Sequence, residues 1–258
     1  MILDHKGTQI YYNIQGKGDA VVLLHGFLEN SSMWDALIPN IKKHHKIITI
    51  DLLGHGKSEC LGYIQSMELM AEAVEAVLNH LKIKTSTFIG HSMGGYVALA
   101  FAKKNPEALN GLCLMNSTPE ADSDERKLLR TRANKLVKTN FENMVRMSFT
   151  NLFSNESKEL YKKELEAALE QAIETSLQGY MACNEGMKIR KDSTTFFKNL
   201  LTKKLIIIGS KDPVIEPNRL KITFANTNVE IVEFPDGHMS HIENMKELDY
   251  NLMRFIEK

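Results

Sequence analysis

A serine flanked by glycines has the clearest capacity for chemistry in this chain. Ser92 lies within 90–94, whose sequence GHSMG has the form Gly-x-Ser-x-Gly. The β-branched and aromatic stretch 85–89 before it predicts a buried strand, and the apolar, alanine-rich stretch 96–103 predicts a helix. A serine at a strand-to-helix corner exposes its hydroxyl, and the small neighbours avoid clashes where the backbone packs against itself. The pattern therefore predicts a nucleophile.

A serine hydroxyl needs a neighbouring base, and a histidine after the last predicted strand can supply it. His238 follows a glycine just beyond the strand predicted over 229–234. His241 is the alternative, but it is expected in the first turn of the final helix, where its reach is more constrained. His238 is therefore the predicted base. Three other histidines neighbour glycines and are expected to brace loops: His25, His55 and His91.

The base needs an acid to fix its tautomer and to stabilise its charge. Asp212 follows the strand predicted over 204–208, after a glycine turn. Groups that react in open α/β sheets gather beyond the carboxyl ends of the strands, which is where this places Asp212. Its rivals fit less well, because Glu216 lies too far into the next helix and Asp122 and Asp124 lie among helices far from any strand.

The reaction also needs N–H donors for the tetrahedral oxygen, which form an oxyanion hole. The Met93 N–H, one residue after Ser92, is one predicted donor. The other is expected from the loop after the strand predicted over 20–24, where Phe27 follows His25-Gly26. Both donors are backbone groups, so the predicted hole depends on position and not on side-chain type.

Strand and helix patterns alternate at both ends of the chain and must position these groups. Alternation of this kind predicts an α/β fold, a mostly parallel sheet with helices on both faces. The predicted strands cover 2–3, 9–14, 20–24, 46–51, 85–89, 112–115, 204–208 and 229–234. The predicted helices between them cover 31–43, 66–81, 96–103, 216–225 and 242–256.

The alternation stops between residues 118 and 200, where only helical patterns occur. Apolar residues at helical spacing predict helices over 122–138, 141–149 and 156–180. An insertion of this length is too long for a plain loop. The predicted domains are therefore a core, formed by 1–117 and 201–258, and an inserted helical cap, or lid, formed by 118–200.

Composition excludes several classes of function. The 258 residues carry no net charge, and the pI is about 7.1, so nothing indicates a nucleic-acid partner. No signal peptide or membrane-length apolar run is visible, which predicts a cytoplasmic protein away from membranes. The three cysteines have no metal-site spacing and are expected to be free thiols. Neither a metal nor a cofactor is expected, the partner is a small-molecule substrate, and the sequence leaves the oligomeric state open.

Taken together, these motifs resemble those of the α/β-hydrolase family, with an inserted cap. The matching segments span nearly the whole chain, in the family order Ser, Asp, His: 25–27, Asp51 with 54–58, 90–95, 209–212 and 237–238. The resemblance implies an eight-stranded α/β-hydrolase sheet. It also argues against branches that use an aspartate nucleophile, because that position holds Ser92.

The resemblance implies an enzyme but leaves its substrate open. The first hypothesis is a serine hydrolase that cleaves a small ester, thioester or lactone through an acyl-enzyme, with a triad of Ser92, Asp212 and His238. The alternatives are a carbon–carbon bond hydrolase or lyase with the same triad, and a ligand sensor with little turnover. Carbon–carbon hydrolysis of an acid would require a cation in the pocket. Candidate pocket residues are Arg130, Arg132, Arg146 and Arg190 for charge, and Met144, Met147, Met181 and Met187 for adaptable packing.

Overall fold

An eight-stranded sheet runs through the structure, a computed structural model that describes residues 1–258. The strands are β1 (Ile2–His5), β2 (Thr8–Gln15), β3 (Ala20–Leu24), β4 (Lys46–Ile50), β5 (Ser86–His91), β6 (Leu109–Met115), β7 (Lys203–Gly209) and β8 (Glu230–Phe234). They lie in the order β1-β2-β4-β3-β5-β6-β7-β8. Only the pairs β1–β2 and β2–β4 are antiparallel, so the predicted mostly parallel sheet is confirmed.

Twelve α-helices accompany the sheet. In chain order they are α1 (Ile38–Ile41), α2 (Met67–His80), α3 (Met93–Lys104), α4 (Asp124–Leu136), α5 (Phe141–Thr150), α6 (Asn155–Leu160), α7 (Lys162–Ile173), α8 (Leu177–Ile189), α9 (Thr194–Asn199), α10 (Pro217–Phe224), α11 (Ser240–Glu243) and α12 (Met245–Glu257). Serine side chains cap several of them, and Ser66, for example, accepts from the Leu69 N–H at the start of α2.

Both faces of the sheet are buried, which explains why its central strands are apolar at successive positions. In β3, Val22 and Leu24 belong to one hydrophobic cluster, which α2 and α3 cover. Val21 and Leu23 point the other way, into a second cluster that contains Trp34 and residues of α12. The sheet is therefore a rigid layer whose carboxyl edge can hold loops in fixed positions.

The chain between β6 and β7 forms no strand. It consists of α4 to α9 and their connections, and we call residues 118–200 the helical segment. Serine residues begin three of its helices: Ser123, Ser154 and Ser176 each accept a hydrogen bond from the N–H three residues on. A third hydrophobic cluster joins the helical segment to Leu28 and Met239 of the sheet's loops.

Three predicted helices were wrong in length. The helix predicted over 31–43 is a 3₁₀ turn, Ser31–Trp34, followed by α1, because Pro39 suits only a first turn. The helix predicted over 156–180 is divided into α6, α7 and α8 at Tyr161 and at the Ser176 cap. The helix predicted over 242–256 breaks between α11 and α12 at Asn244, and α9 was not predicted.

None of the helices has the length and apolar character needed to cross a membrane. The longest, α2 and its 14 residues, is well short of the roughly 20 that a span requires. Cys60, Cys113 and Cys183 are all free thiols, as the sequence predicted.

Candidate active site

Ser92 occupies the corner between β5 and α3 in a strained backbone conformation. Its φ of 48° and ψ of −112° are rare for a residue with a side chain. The neighbouring glycines make this corner possible. A Cβ on Gly90 would lie 2.5 Å from the Gly94 backbone, and a Cβ on Gly94 would lie 2.3 Å from the Leu24 carbonyl oxygen. The packing of chain against chain therefore explains why the motif requires glycine at both positions.

Two backbone N–H groups near Ser92 are free of protein partners. The Met93 N–H begins α3, where the first N–H groups of a helix have no intrahelical acceptor. The Phe27 N–H, in the loop after β3, also donates to no backbone carbonyl. These are the two donors that the sequence predicted for an oxyanion hole.

His238 and Asp212 lie at the ends of different strands and are hydrogen-bonded to each other. The His238 Nδ1 is 2.7 Å from the Asp212 Oδ2, and both side chains are buried. The Val214 and Ile215 N–H groups donate to the other carboxylate oxygen, Oδ1, over 2.7 and 3.0 Å. Burial alone would raise the pKa of Asp212, but His238 and these N–H donors lower it overall. The carboxylate is therefore fixed in its ionised form beside the imidazole.

The loop that carries His238 is held by a buried carboxylate, Glu243, which no pattern in the sequence indicated. Glu243 accepts hydrogen bonds from the Gly237, Met239 and Ser154 N–H groups. The His238 N–H donates to the carbonyl of Leu152, in the helical segment, over 2.8 Å. The position of His238 thus depends on both α11 and the helical segment.

A second buried carboxylate, Glu29, links the loop after β3 to the serine corner. Its Oε2 accepts from the Gly26 N–H over 2.7 Å and from the His91 Nδ1 over 2.6 Å. The His91 Nε2 donates to the His238 carbonyl over 3.0 Å. Both nitrogens of His91 thus face acceptors, which requires the charged imidazolium. His91 therefore does more than brace a loop: it joins the three loops that carry Phe27, Ser92 and His238.

The pKa shifts agree with an ion pair between Glu29 and His91. Burial would raise the pKa of Glu29, but His91 and then His241 lower it to about 2. Burial would also lower the pKa of His91, but the Glu29 carboxylate raises it overall. His241, whose Nε2 lies 3.5 Å from the Glu29 Oε1, is kept neutral mainly by burial, and its pKa falls to about 4.

Glu29, His91 and His241 form the one group of side chains whose geometry could hold a metal ion. The ligand atoms of Glu29, His91 and His241 all lie within 4.8 Å of one another. Both ring nitrogens of His91 are already engaged in hydrogen bonds, so an ion would have to displace one of them. The Glu29 Oε1 and the His241 Nδ1 are buried without a hydrogen-bond partner.

His25 and His55 brace loops, as the sequence predicted. The His25 Nδ1 donates to the Gly26 carbonyl, and its Nε2 accepts from the Leu52 N–H over 2.8 Å. The His55 Nδ1 lies 3.3 Å from the Leu53 carbonyl. Burial lowers the pKa of both rings, that of His55 to about 3, so both are neutral.

Ser92 and His238 open into one cavity of about 380 Å³ between the sheet edge and the helical segment. That volume suits a small molecule. Its apolar walls come from both sides: Phe27, Leu28, Pro213 and Val214 from the sheet's loops, and Leu129, Ala133, Phe149, Leu152, Tyr180 and Met187 from the helical segment. Arg126, Arg130 and Asn184 add a polar wall.

The sequence identified only part of this lining. Of the four methionines proposed for the pocket, Met187 alone lines it, and Met147 is exposed. Arg130 lines the cavity, whereas Arg190 stacks on the Tyr96 ring and Arg132 and Arg146 are exposed. Arg126 lines the cavity and was not predicted.

Comparison with known proteins points to one family. A family model described as the alpha/beta hydrolase fold matches residues 19–245. A pimeloyl-[acyl-carrier protein] methyl ester esterase from Yersinia enterocolitica is 36% identical over 112 residues, which is 43% of this chain and 42% of that protein. The chain spans only about 33% to 42% of the length of the first curated relatives that it matches.

Two solved structures show the same architecture over nearly their whole length. A thermophilic esterase from Thermogutta terrifontis superposes with a TM-score of 0.92 at 26% identity, covering 99% of this chain and 96% of that one. An enol-lactonase from Burkholderia xenovorans LB400 gives a TM-score of 0.92 at 22% identity and covers 100% of both chains. At 22% identity, the likeness to the enol-lactonase is one of fold alone.

Proposed function

The chain belongs to the alpha/beta hydrolase family, and on that premise we propose that it hydrolyses a small carboxylic ester, thioester or lactone through Ser92. One observation carries the proposal. A strained serine and a histidine that is hydrogen-bonded to a buried carboxylate open into the same small-molecule cavity. This arrangement matches what acyl transfer by a serine requires.

Each proposed role follows from a position already described. The Ser92 Oγ attacks the substrate carbonyl carbon while His238 takes the hydroxyl proton through Nε2. Asp212 holds the Nδ1 of His238 and stabilises the imidazolium that forms. The free N–H groups of Phe27 and Met93 donate to the tetrahedral oxygen.

The intermediate then collapses, and His238 returns the proton to the leaving alcohol, thiol or lactone oxygen. An acyl-enzyme on Ser92 is left. A water molecule, deprotonated by His238, attacks the acyl carbon and releases the acid and free Ser92. No other reactant is required.

We also propose that the helical segment, residues 118–200, acts as a cap over a core formed by 1–117 and 201–258. The cavity supports this, because its walls come from both parts of the chain. The hydrogen bond from the His238 N–H to the Leu152 carbonyl supports it as well. A segment that both encloses the substrate and touches the base can exclude water during the reaction.

The test is hydrolysis of p-nitrophenyl esters of graded acyl length, and of lactones, by wild type and Ser92→Ala. Loss of the nucleophile is expected to lower kcat/KM at least about a thousandfold. Ser32→Ala is a matched control, because Ser32 does not line the cavity and its Oγ donates to the Gln171 Oε1. Activity that survives in Ser92→Ala would overturn the proposal. Labelling of Ser92 by a fluorophosphonate without turnover of any substrate would favour a ligand sensor.

Carbon–carbon bond hydrolysis is a second candidate, and the arginines at the cavity favour it. A diketone-like acid would need a cation for its carboxylate, and Arg126 and Arg130 line the cavity. Release of two carboxylic products from a β-diketone acid, with no hydrolysis of esters, would select this reaction over the first.

A further inference from the structure

The polar wall of the cavity carries two arginines, Arg126 and Arg130, whose one ion-pair partner in the protein is Asp122. Asp122, whose side chain is fully buried, is hydrogen-bonded to the Arg130 Nε and, over 2.6 Å, to the Arg190 Nη1. The Arg126 Nε lies 3.9 Å from the same carboxylate. None of these arginines has another carboxylate within ion-pair distance. Three guanidinium groups therefore share one negative charge.

The carboxylates nearest Ser92 are engaged by histidines. Glu29 pairs with His91, and Asp212, beyond the cavity wall, pairs with His238. Neither carboxylate faces the arginine wall through a hydrogen bond or an ion pair. The Arg130 guanidinium, which is mostly buried and has unengaged N–H donors, favours an anion inside the cavity.

Arg130 is held in a fixed orientation with donors to spare. Its Nε bonds to Asp122, and its Nη1 donates to the Asn184 Oδ1 over 3.0 Å. Asn184 is itself fixed, since its amide donates to the Arg130 carbonyl and to the Asn134 side chain. These bonds use two of the five N–H donors of the guanidinium, and no other protein group accepts from the rest. Its side chain is only 14% exposed.

Arg126 stands one helical turn before Arg130 on α4, so the two face the cavity together. Its Nη1 is anchored by the Val214 carbonyl over 2.8 Å, two residues after Asp212. The guanidinium of Arg126 thus bridges the helical segment and the loop that carries the acid. Planar, anchored guanidiniums are suited to recognise a carboxylate.

We propose that Arg130 and Arg126 form a binding site for a carboxylate at the far end of the substrate's acyl chain. The substrate is then a monoester, thioester or lactone of a dicarboxylic acid, with the reacting carbonyl at Ser92 and the free carboxylate at Arg130. The apolar walls between them, which include Phe149 and Met187, contact the methylene chain. This inference rests on the proposed function for its reacting end, but the anion site itself is independent of turnover.

The first experiment compares two p-nitrophenyl esters of equal chain length, the hexanoate and the half-ester of adipic acid. Wild type is expected to prefer the adipate half-ester in kcat/KM. Arg130→Gln is expected to reduce the ratio of adipate to hexanoate kcat/KM by about tenfold or more, the effect of a lost charged hydrogen bond. Arg126→Gln is expected to reduce the same ratio. Because Arg126 lies 3.9 Å from Asp122 and is 37% exposed, its loss disturbs that carboxylate less, and it supplies the test if Arg130→Gln fails to fold.

Arg132→Gln is the matched control, because Arg132 lies on the same helix but is exposed and unpaired. It is expected to leave the ratio unchanged. A wild-type ratio near one, or a ratio that neither Arg130→Gln nor Arg126→Gln alters, would overturn the carboxylate site while leaving ester hydrolysis intact.

The second experiment is calorimetric titration of wild type with adipate and with hexanoate. Both ligands can place one carboxylate near Ser92. A difference between their affinities therefore reports binding of adipate's second carboxylate at the arginines. Adipate is expected to bind at least tenfold more tightly, and Arg126→Gln is expected to remove the difference. If no ester is hydrolysed but this difference is found, the proposed function fails and the anion site stands. Equal binding of the two acids would overturn the site.

Discussion

The sheet's loops and the helical segment differ in the charged side chains they carry. All nine histidines of the chain lie outside residues 118–200, and five of its seven arginines lie inside them. Histidine can exchange a proton near neutral pH, whereas arginine keeps its charge and offers a rigid fork of donors. The proposed function places proton transfer at the sheet's edge, and the proposed carboxylate site places anion recognition in the helical segment.

Asp212 and His91 at the sheet's edge are more completely hydrogen-bonded than Arg130 in the helical segment. At the sheet's edge, Asp212 accepts at both oxygens, and both nitrogens of His91 are hydrogen-bonded. In the helical segment, Arg130 keeps three N–H donors without a protein partner. Fully engaged groups hold one geometry, and unengaged donors are available to a ligand. Variants at the sheet's edge should therefore change the rate for every substrate. Variants of the arginines in the helical segment should change the preference between substrates.

The largest expected effect belongs to Asp212→Asn. The amide no longer holds His238 in the tautomer that accepts the serine proton, and kcat is expected to fall by about a thousandfold or more. The loss should be equal for neutral and carboxylate-bearing esters, because Asp212 contacts the proposed base, His238, and does not line the cavity. Steady-state kinetics on the hexanoate and adipate esters measures both quantities.

Asp124→Asn is the control for that substitution, since Asp124 is an exposed acid at the start of α4. It should leave both rates near those of wild type. A change in substrate preference in Asp212→Asn, with the rate retained, would contradict the division between the two regions.

A smaller effect, on stability, is expected from Glu29→Gln. The substitution leaves the buried His91 without its carboxylate, and breaking a buried ion pair in this way costs about 3 kcal/mol. The matched variant in the helical segment is Glu142→Gln, whose partner Arg146 is exposed, and there the loss should be about 1 kcal/mol or less. Urea unfolding measures both losses of unfolding free energy. Equal losses would show that the Glu29–His91 pair stabilises the fold no more than an exposed ion pair does.

The sequence was sufficient for the groups that follow strands. Ser92 and Asp212 each come just after an apolar run and a glycine turn, and His238 follows the glycine turn after the partly buried strand β8. The strand at Ala20–Leu24 was predicted to the residue, because both of its faces are buried. Here the local pattern and the tertiary environment favour the same structure.

The sequence was insufficient where a side chain's role depends on a distant partner. Glu29 and His91 are 62 residues apart, and nothing near Glu29 in the chain indicates that its carboxylate is buried. The orientation of α4 likewise decides that Arg126 and Arg130 face the cavity while Arg132 faces solvent. A helical pattern gives the spacing of residues, but packing against the sheet's loops decides which face is enclosed.

The smallest expected effect concerns pH and the histidines of the sheet's loops. Burial lowers the pKa of His55 to about 3, so the unfolded chain, whose histidine has a pKa near 6.5, binds the proton first. The contribution of His55 to stability is present above pH 6.5 and is lost as the pH falls. Between pH 7 and pH 5 it amounts to about 2 kcal/mol of unfolding free energy.

Urea unfolding of wild type and His55→Gln at these two pH values isolates this contribution. His91 titrates in the opposite sense, because its raised pKa stabilises the fold below pH 6.5, but it is common to both proteins and cancels in their difference. The fall in stability from pH 7 to pH 5 should therefore be about 2 kcal/mol smaller in His55→Gln. His44→Gln, at the surface, should match wild type. An equal fall in all three proteins would mean that His55 does not contribute to the acid response.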